Sequence, residues 1–205
     1  MEATIKTRPF EWGVSSLTHR GETDSGDKCV VTAFDGGALV AVIDALGHGG
    51  EAAQAAEVAV GTLKRYAHEA PVALVERCHA KMHGTRGAAV SLASFDWRRR
   101  TMAWLGIGNV AGVIMHADPG ADRRATSLLV RGGVVGDHLP ELQITVLPLA
   151  AETTLVMATD GVRDHFTEIL PATLEPQRLA ERILDDYARH DDDATVLVFR
   201  CNGDS

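Results

Sequence analysis

The stretch Ala38–Glu51, ALVAVIDALGHGGE, is the feature that most constrains the fold. Residues 38–43 carry no charge and form a run that is apolar enough for a strand buried on both faces. The run stops at a carboxylate, Asp44, and a glycine-rich turn follows at 47–50, where the backbone can approach an ion or a phosphate closely. Two interpretations follow from this pattern: a strand that delivers an acid to a ligand site, or a buried strand followed by a solvated aspartate.

The length of 205 residues favours one domain, 1–205, and a composition with 45% hydrophobic and 23% charged residues is typical of a soluble globular protein. The net charge of −8 argues against a general nucleic-acid binder. No apolar run approaches the roughly 18 residues of a membrane span, and the first residues lack the apolar core of a secretory signal. Three scattered cysteines, Cys29, Cys78 and Cys201, predict reduced thiols in a cytoplasmic protein. Without coiled-coil heptads, we expect a monomer.

The order of predicted elements favours the α+β class. Strands predicted at 10–18, 29–34 and 38–43 precede two helices, one over 50–66 and one opened by Pro71. A block of strands follows, at 87–95, 102–107, 110–116, 126–130, 142–147 and 153–159, and then a helix opened by Pro176 and a last strand at 194–199. Because helices and strands are segregated, we expect antiparallel sheet packed between helix layers. The turn Gly108–Asn109 predicts a hairpin between the strands on either side of it.

Acidic residues stand at the ends of the strands that read as buried. Asp44 and Asp160 each follow an apolar run, whereas Asp192 and Asp193 precede one. The tight connection 35–37 predicts that the strands at 29–34 and 38–43 are antiparallel. Asp27, which precedes the first of these strands, then lies at the same edge of the sheet as Asp44. We therefore expect these carboxylates to gather in one place if the last strand runs antiparallel to the others.

Gathered carboxylates repel one another, so each raises the pKa of its neighbours unless cations neutralise them. Ligands that are all oxygen suit hard ions, Mg²⁺ or Mn²⁺, better than Zn²⁺. Two such ions lower the pKa of a shared water and direct it at a phosphoryl group, which indicates metal-assisted phosphoester hydrolysis. The alternatives are that Asp27 only forms a turn, that Asp164 is a solvated helix residue and that 191–193 only caps a strand. His48 lies beside the site, and a lone loop histidine is more often solvent-exposed than catalytic.

Four ordered motifs resemble those of a known family: Ser25-Gly26-Asp27, Asp44-Ala45-Leu46-Gly47-His48-Gly49, Thr159-Asp160-Gly161 and Asp192-Asp193-Ala194-Thr195. The family is the metal-dependent serine/threonine protein phosphatases (PPM, type 2C), in the bacterial SpoIIE-like branch. The resemblance implies an αββα four-layer sandwich of two antiparallel sheets flanked by helices, with a dinuclear Mn²⁺ or Mg²⁺ centre. It departs from the type 2C pattern at Ala45, where that pattern has glycine.

The resemblance also implies roles for individual residues. Asp44 would bridge the two metal ions, and the carbonyl oxygen of Ala45 would be a further ligand. Asp160 and Asp192 would complete the coordination of one ion, and Asp27 would act near the other. Asp164 would belong to a weaker third metal position. Asp44, Asp160 and Asp192 are thus the expected catalytic residues.

Within this branch, the amino-acid sequence of residues 43–49 is most similar to that of the RsbX-like stressosome phosphatases. That likeness implies a substrate class, phosphoserine or phosphothreonine on STAS-domain scaffold proteins of the RsbS and RsbR type, and a role in resetting stress signalling. Two other functions remain open at this point. One is a catalytically silent phosphatase-like module that binds a STAS-domain regulator, and the other is a small-molecule phosphatase.

Overall fold

The computed structural model describes residues 9–115, 125–150, 153–163, 166, 173–189 and 191–202. These residues form two antiparallel sheets of five strands each and three helices. The elements are β1 (Phe10–Leu17), β2 (Asp27–Phe34), β3 (Gly37–Ala45), α1 (Gly50–Arg65), α2 (Pro71–Met82), β4 (Ala88–Asp96), β5 (Thr101–Ile107), β6 (Ala111–Met115), β7 (Ala125–Ser127), β8 (Thr145–Pro148), β9 (Thr154–Ala158), α3 (Pro176–Tyr187) and β10 (Ala194–Cys201).

The first sheet has the strand order β1-β10-β9-β6-β7, and the second has the order β2-β3-β4-β5-β8. Strand β3 shows how the layers stack, because its side chains alternate between two apolar clusters. Leu39, Ala41 and Ile43 pack with α1 and α2, whereas Val40 and Val42 pack towards the first sheet. The burial of β3 on both faces, which its sequence predicts, is thereby explained.

Helix α3 covers the outer face of the first sheet. Val156 and Val198 of that sheet pack with Leu179 and Ile183 of the helix in a third apolar cluster. The layers therefore run α1 and α2, second sheet, first sheet, α3. The αββα four-layer sandwich of antiparallel sheets that the resemblance implies is confirmed.

Local sequence accounts for where the helices begin and how closely they pack. Helix α1 contacts the second sheet through small buried residues such as Ala52, Ala56 and Ala59, which let the two backbones approach. Helices α2 and α3 both begin with proline, whose missing N–H is not needed in the first turn. The carboxylate of Glu175 accepts hydrogen bonds from the backbone N–H groups of Gln177 and Arg178 and so caps α3.

The predicted hairpin at Gly108–Asn109 is wrong. Strands β5 and β6 lie in different sheets, and this turn carries the chain from one sheet to the other. The reason is competition for the edge of β5: the N–H of Gly108 donates to Arg131 O at 2.8 Å, and the N–H of Arg131 donates to Gly106 O at 3.0 Å. Strand β8 pairs with the earlier part of β5. Residues distant in sequence therefore take the positions that β6 would occupy in a hairpin.

In the part of the chain that the structure describes, none of the helices has the length and apolar character needed to cross a membrane.

Candidate metal centre

Asp27 and Asp44 face each other across the β2–β3 pair. Asp27 is the first residue of β2 and Asp44 is the last but one of β3, and the antiparallel register sets them directly opposite. Asp27 is buried, with 5% of its surface exposed, and Asp44 is partly buried. The hairpin interpretation of the sequence, which brings these two acids to one edge, is confirmed.

Asp160 and Asp192 come from the other sheet. Asp160 lies two residues after the end of β9 and Asp192 lies two residues before β10, and these strands are antiparallel neighbours. Both side chains are exposed, and both are close enough to Asp44 for their charges to raise its pKa. The acids at these strand ends therefore come together as expected. They do so between two facing sheets, and not along one edge of a single sheet.

Thr159 connects the two sheets at this site. Its hydroxyl donates a hydrogen bond of 2.7 Å to Asp27 Oδ2 and accepts one of 2.9 Å from the backbone N–H of Thr195. Both threonines are buried. This link holds the Asp27 carboxylate against the first sheet. Both threonines belong to the sequence motifs, which assign them no role; the signal for one is a hydroxyl residue beside an acid at the end of a buried strand.

The electrostatics of the site are those of anions without a counter-charge. Burial, together with the charge of Asp44, raises the pKa of Asp27 to about 8. Burial and then the charges of Asp160 and Asp192 raise the pKa of Asp44 to about 7. Among the described residues, no Lys or Arg forms an ion pair with either carboxylate. The arrangement therefore favours protons or cations in the space between the carboxylates.

Asn109 is a site residue that the sequence reasoning missed. Its amide Nδ2 donates a hydrogen bond of 2.6 Å to Asp160 Oδ2, and the same side chain offsets part of the rise in the pKa of Asp44. The amide orients these carboxylates from outside the cluster, as a second layer of contacts does around a metal. The signal lies in the Gly108–Asn109 turn, whose pattern predicts only a hairpin.

Asp193 differs from its neighbour Asp192. It is buried, with 5% exposed, and its two carboxylate oxygens accept hydrogen bonds from the backbone N–H groups of His19 (2.7 Å) and Gly26 (2.8 Å). Asp193 thus fixes the loop that leads into Asp27. The close packing of Gly161 belongs to the same arrangement, because a Cβ at this position would overlap the Asp193 carbonyl oxygen.

Ala45, Asp164 and His48 are the other residues that the sequence places at or beside the site. Ala45 ends β3 in a buried position, and its N–H donates to Gly26 O at 3.2 Å, which links the two loops of the site. Asp164 lies outside the described residues. His48 is exposed, as expected of a loop histidine, and its Nδ1 lies 2.8 Å from Glu22 Oε1.

The donor set fits the hard divalent ions that the sequence predicts. Asp27, Asp44, Asp160 and Asp192 offer only carboxylate oxygens. Mg²⁺ and Mn²⁺ prefer such ligands. A cation would also offset the burial and repulsion that raise the pKa of Asp27 and Asp44.

Comparisons with known proteins agree with this geometry. The family model described as Stage II sporulation protein E (SpoIIE) matches residues 35–202. A search of curated protein sequences gave no match. One solved structure with the same fold comes from a study of the bacterial stressosome as a modular system adapted to control secondary messenger signaling. It is 28% identical to this chain, with a TM-score of 0.84, and the alignment covers 94% of this chain and 100% of that chain.

Two other structures share the fold at lower identity. RsbX in complex with magnesium is 20% identical with a TM-score of 0.82, and the alignment covers 94% of this chain and 96% of that chain. The catalytic domain of the serine/threonine protein phosphatase PstP, in complex with two manganese ions, is 17% identical with a TM-score of 0.70, and the coverage is 94% and 98%. The chain belongs to the SpoIIE family, in the SpoIIE-like branch of the PPM phosphatases, and is similar to RsbX.

Proposed function

We propose that this chain is a Mn²⁺- or Mg²⁺-dependent protein phosphatase that removes phosphate from serine or threonine of STAS-domain stressosome proteins of the RsbS and RsbR type. The observation that carries the proposal is the convergence of four carboxylates, two of them with pKa values raised to about 8 and about 7. Such a cluster suits divalent cations and a phosphoryl substrate better than a purely structural role.

Each carboxylate receives a role in this proposal. Asp44 would hold both ions and the Ala45 carbonyl would be a further ligand, while Asp160 and Asp192 would complete the ligands of one ion and Asp27 would act near the other. Asp164 would hold a weaker third ion. The two ions, when bound, neutralise the phosphate oxygens and lower the pKa of water.

Other residues of the chain orient the carboxylates of the site. Thr159 holds the Asp27 carboxylate through the 2.7 Å hydrogen bond to Oδ2, and Asn109 holds that of Asp160 through the 2.6 Å bond to its Oδ2. Asp193 fixes the loop before Asp27 by accepting from two backbone N–H groups. These contacts fix the carboxylate orientations before a substrate arrives, so less reorganisation is required during the reaction.

The substrate class rests on likeness to stressosome proteins. The 28% identical structure comes from work on the bacterial stressosome, and the fold is shared with RsbX. The motif at 43–49 resembles the corresponding RsbX sequence. The proposal includes a cytoplasmic location, a monomeric state and a single phosphatase domain over 1–205, as the sequence predicts.

The test is release of phosphate from a phosphorylated STAS-domain scaffold protein of the RsbS type, with Mn²⁺ and then with a chelator. We expect release that requires the metal and is lost in Asp44→Asn. Asp35→Asn is the matched control, because Asp35 is an exposed aspartate at the opposite end of β3. Binding of the two proteins without release would favour the silent module. Hydrolysis of small aryl phosphates with no action on the phosphoprotein would favour a small-molecule phosphatase.

A further inference from the structure

A second cluster of potential metal ligands lies beside the carboxylates. It consists of His19, Glu22 and His48, which each offer one ligand atom, and these atoms all lie within 4.8 Å of one another. His48 Nδ1 lies 2.8 Å from Glu22 Oε1, and the rings of His19 and His48 stack with centroids 4.6 Å apart. In the described part of the chain, this is the one group of His, Cys, Asp or Glu residues that meets such a spacing.

The backbone brings these three side chains together for identifiable reasons. The N–H of Glu22 donates to His19 O at 3.1 Å in a turn, and the N–H of His19 is held by Asp193 Oδ1. His48 comes from the loop after β3. Gly49, the N-cap of α1, has φ +76°, and a Cβ there would lie 2.8 Å from Glu22 Oε2. The glycine therefore leaves room for the Glu22 carboxylate at the start of a helix, where a negative charge is favoured.

His19 adds an independent observation. Its Nδ1 atom is buried, and it has no hydrogen-bond partner among the residues that the structure describes. A buried imidazole nitrogen that lacks a partner loses its hydration without compensation. A metal ion bound through this nitrogen, with Glu22 and His48 as its other ligands, would supply a partner.

We propose that His19, Glu22 and His48 bind a divalent transition-metal ion of the Zn²⁺ type, at a site separate from the carboxylate centre. Two imidazoles and one carboxylate are the ligands of several three-residue zinc sites, which leave a fourth position open. Imidazole nitrogen favours Zn²⁺ over Mg²⁺, whereas the all-oxygen carboxylate centre has the opposite preference. The difference in donor atoms lets one protein hold two kinds of metal side by side.

The site requires a small closure. Zinc–ligand distances of about 2.0–2.1 Å in a tetrahedral arrangement separate neighbouring ligand atoms by roughly 3.4 Å, and the rings must turn from their stacked orientation. The side chain of His48 is 53% exposed and that of Glu22 is 33% exposed, so both have room to move. His19 is held more firmly through its backbone by Asp193.

Such an ion would join two loops that flank the carboxylate centre. His19 and Glu22 precede Asp27 in the chain, and His48 follows Asp44. Metal that binds only the folded protein stabilises it in proportion to its concentration and affinity. Zn²⁺ is therefore expected to raise the melting temperature even when Mg²⁺ already saturates the carboxylates. This inference concerns binding and does not depend on the proposed phosphatase activity.

The test is titration of the full chain with Zn²⁺ in excess Mg²⁺, with affinity measured by competition against a chromophoric chelator. We expect one Zn²⁺ per chain, and at least roughly tenfold weaker binding in H48Q and E22Q. H68Q is the matched control, because His68 is also exposed but belongs to no cluster in the described residues. Because His48 and Glu22 are not part of the core, the variants are expected to fold, and circular dichroism checks this.

A spectroscopic measurement identifies the ligands directly. Cu²⁺ in place of Zn²⁺ should show nitrogen hyperfine coupling in its electron paramagnetic resonance spectrum, and this coupling should weaken in H48Q and H19Q. The carboxylate centre offers oxygen alone and cannot give that signal. Equal Zn²⁺ affinity in the parent chain, H48Q and E22Q, or a Cu²⁺ spectrum without nitrogen coupling, would overturn the proposal and leave a simple histidine–glutamate ion pair.

Discussion

The two ends of β3 carry aspartates in opposite electrostatic settings. At the hairpin end, Asp35 pairs with Arg98 at 2.8 Å and Asp96 pairs with Arg99 at 3.3 Å. A hydrogen bond from the backbone N–H of Arg99, then one from the Arg98 backbone and the charge of Arg99, lower the pKa of Asp96. The basic run 98–100, which the sequence indicates is a hairpin tip, supplies the counter-charges for that end.

At the other end of the same strand, Asp44 faces Asp27 and lies near Asp160, and its pKa is raised to about 7. No Lys or Arg of the described chain pairs with Asp27 or Asp44. The difference lies in whether the protein provides its own cation. At the hairpin end, arginines pair with the acids and neutralise them. At the Asp44 end, the described residues supply no such partner, so the cations must come from solution.

The largest effect is expected from substitutions in the unneutralised cluster. Asp44→Asn and Asp160→Asn should each lower phosphate release at least about 100-fold, because each removes a ligand charge that no neighbour replaces. The metal-free fold should be retained, since the change also removes repulsion between carboxylates. Phosphate release from the phosphorylated STAS-domain protein measures activity, and circular dichroism measures folding.

Asp35→Asn is the control for this pair of variants, as it changes an aspartate at the arginine-paired end. It should leave phosphate release unchanged. Near-normal turnover in either Asp44→Asn or Asp160→Asn would contradict the assignment of a metal centre to these residues.

Much of this contrast was predictable from the sequence. The uncharged run before Asp44 identifies a strand buried on both faces, and the acids at the ends of the apolar runs, Asp44 and Asp160, locate the site. The observed bounds of α1, 50–65, and the prolines that open α2 and α3 agree closely with the predicted helices. These features are local, since each depends on periodicity, capping or the run of apolar residues within a few turns.

The parts that could not be predicted depend on residues far apart in sequence. The chain leaves β5 for the other sheet at Gly108–Asn109 because Arg131 occupies the edge of β5, a contact that no local pattern encodes. The role of Asn109 at Asp160 follows from that crossing. The contact of Asp193 with the loop at His19 likewise spans most of the chain.

Metal removal should reveal the raised pKa values as a pH dependence of stability. Folding raises the pKa of Asp27 from 3.8 to about 8, so between these values the folded protein binds more protons than the unfolded one. The free energy of unfolding of the chelated protein should therefore fall as pH rises from about 4 to about 8. For a chain of this length, each 1 kcal/mol corresponds to about 2–4 °C in melting temperature, so a decrease of several degrees is expected.

Melting temperatures in chelator at pH 5, 6, 7 and 8, repeated with saturating Mn²⁺, measure this effect. The bound metal should remove most of the slope, because it replaces the protons. Asp27→Asn should reduce the slope without metal, because the amide still accepts from Thr159 but does not titrate; the slope that remains comes from Asp44, whose pKa is also raised. A slope that is equally steep in that variant would mean that other groups cause it.

A smaller effect is expected at Asn109, which contacts the carboxylates from outside. Asn109→Ala removes the hydrogen bond to Asp160 and leaves that carboxylate free to turn. The concentration of Mn²⁺ needed for half-maximal activity should rise about 10-fold, as is usual when an outer contact of a metal ligand is lost, while activity at saturating Mn²⁺ recovers. Asn109 is exposed, so its loss should leave the melting temperature of the chelated protein unchanged. A loss of activity that excess Mn²⁺ does not restore would instead assign Asn109 to contact with the substrate.

The smallest effect is expected at the hairpin end. The side chains of Arg98 and Asp35 are 74% and 94% exposed, so their ion pair is screened by water and holds two flexible side chains at an entropic cost. Arg98→Ala should therefore shift the melting temperature by less than about 2 °C, and phosphate release should be unchanged. The double variant Arg98→Ala, Asp35→Asn should behave as the sum of the single variants, because no strong coupling exists to be lost. If Arg98→Ala slowed release from the phosphoprotein but not from a small aryl phosphate, this end would contact the partner, and its charges would serve recognition as well as neutralisation.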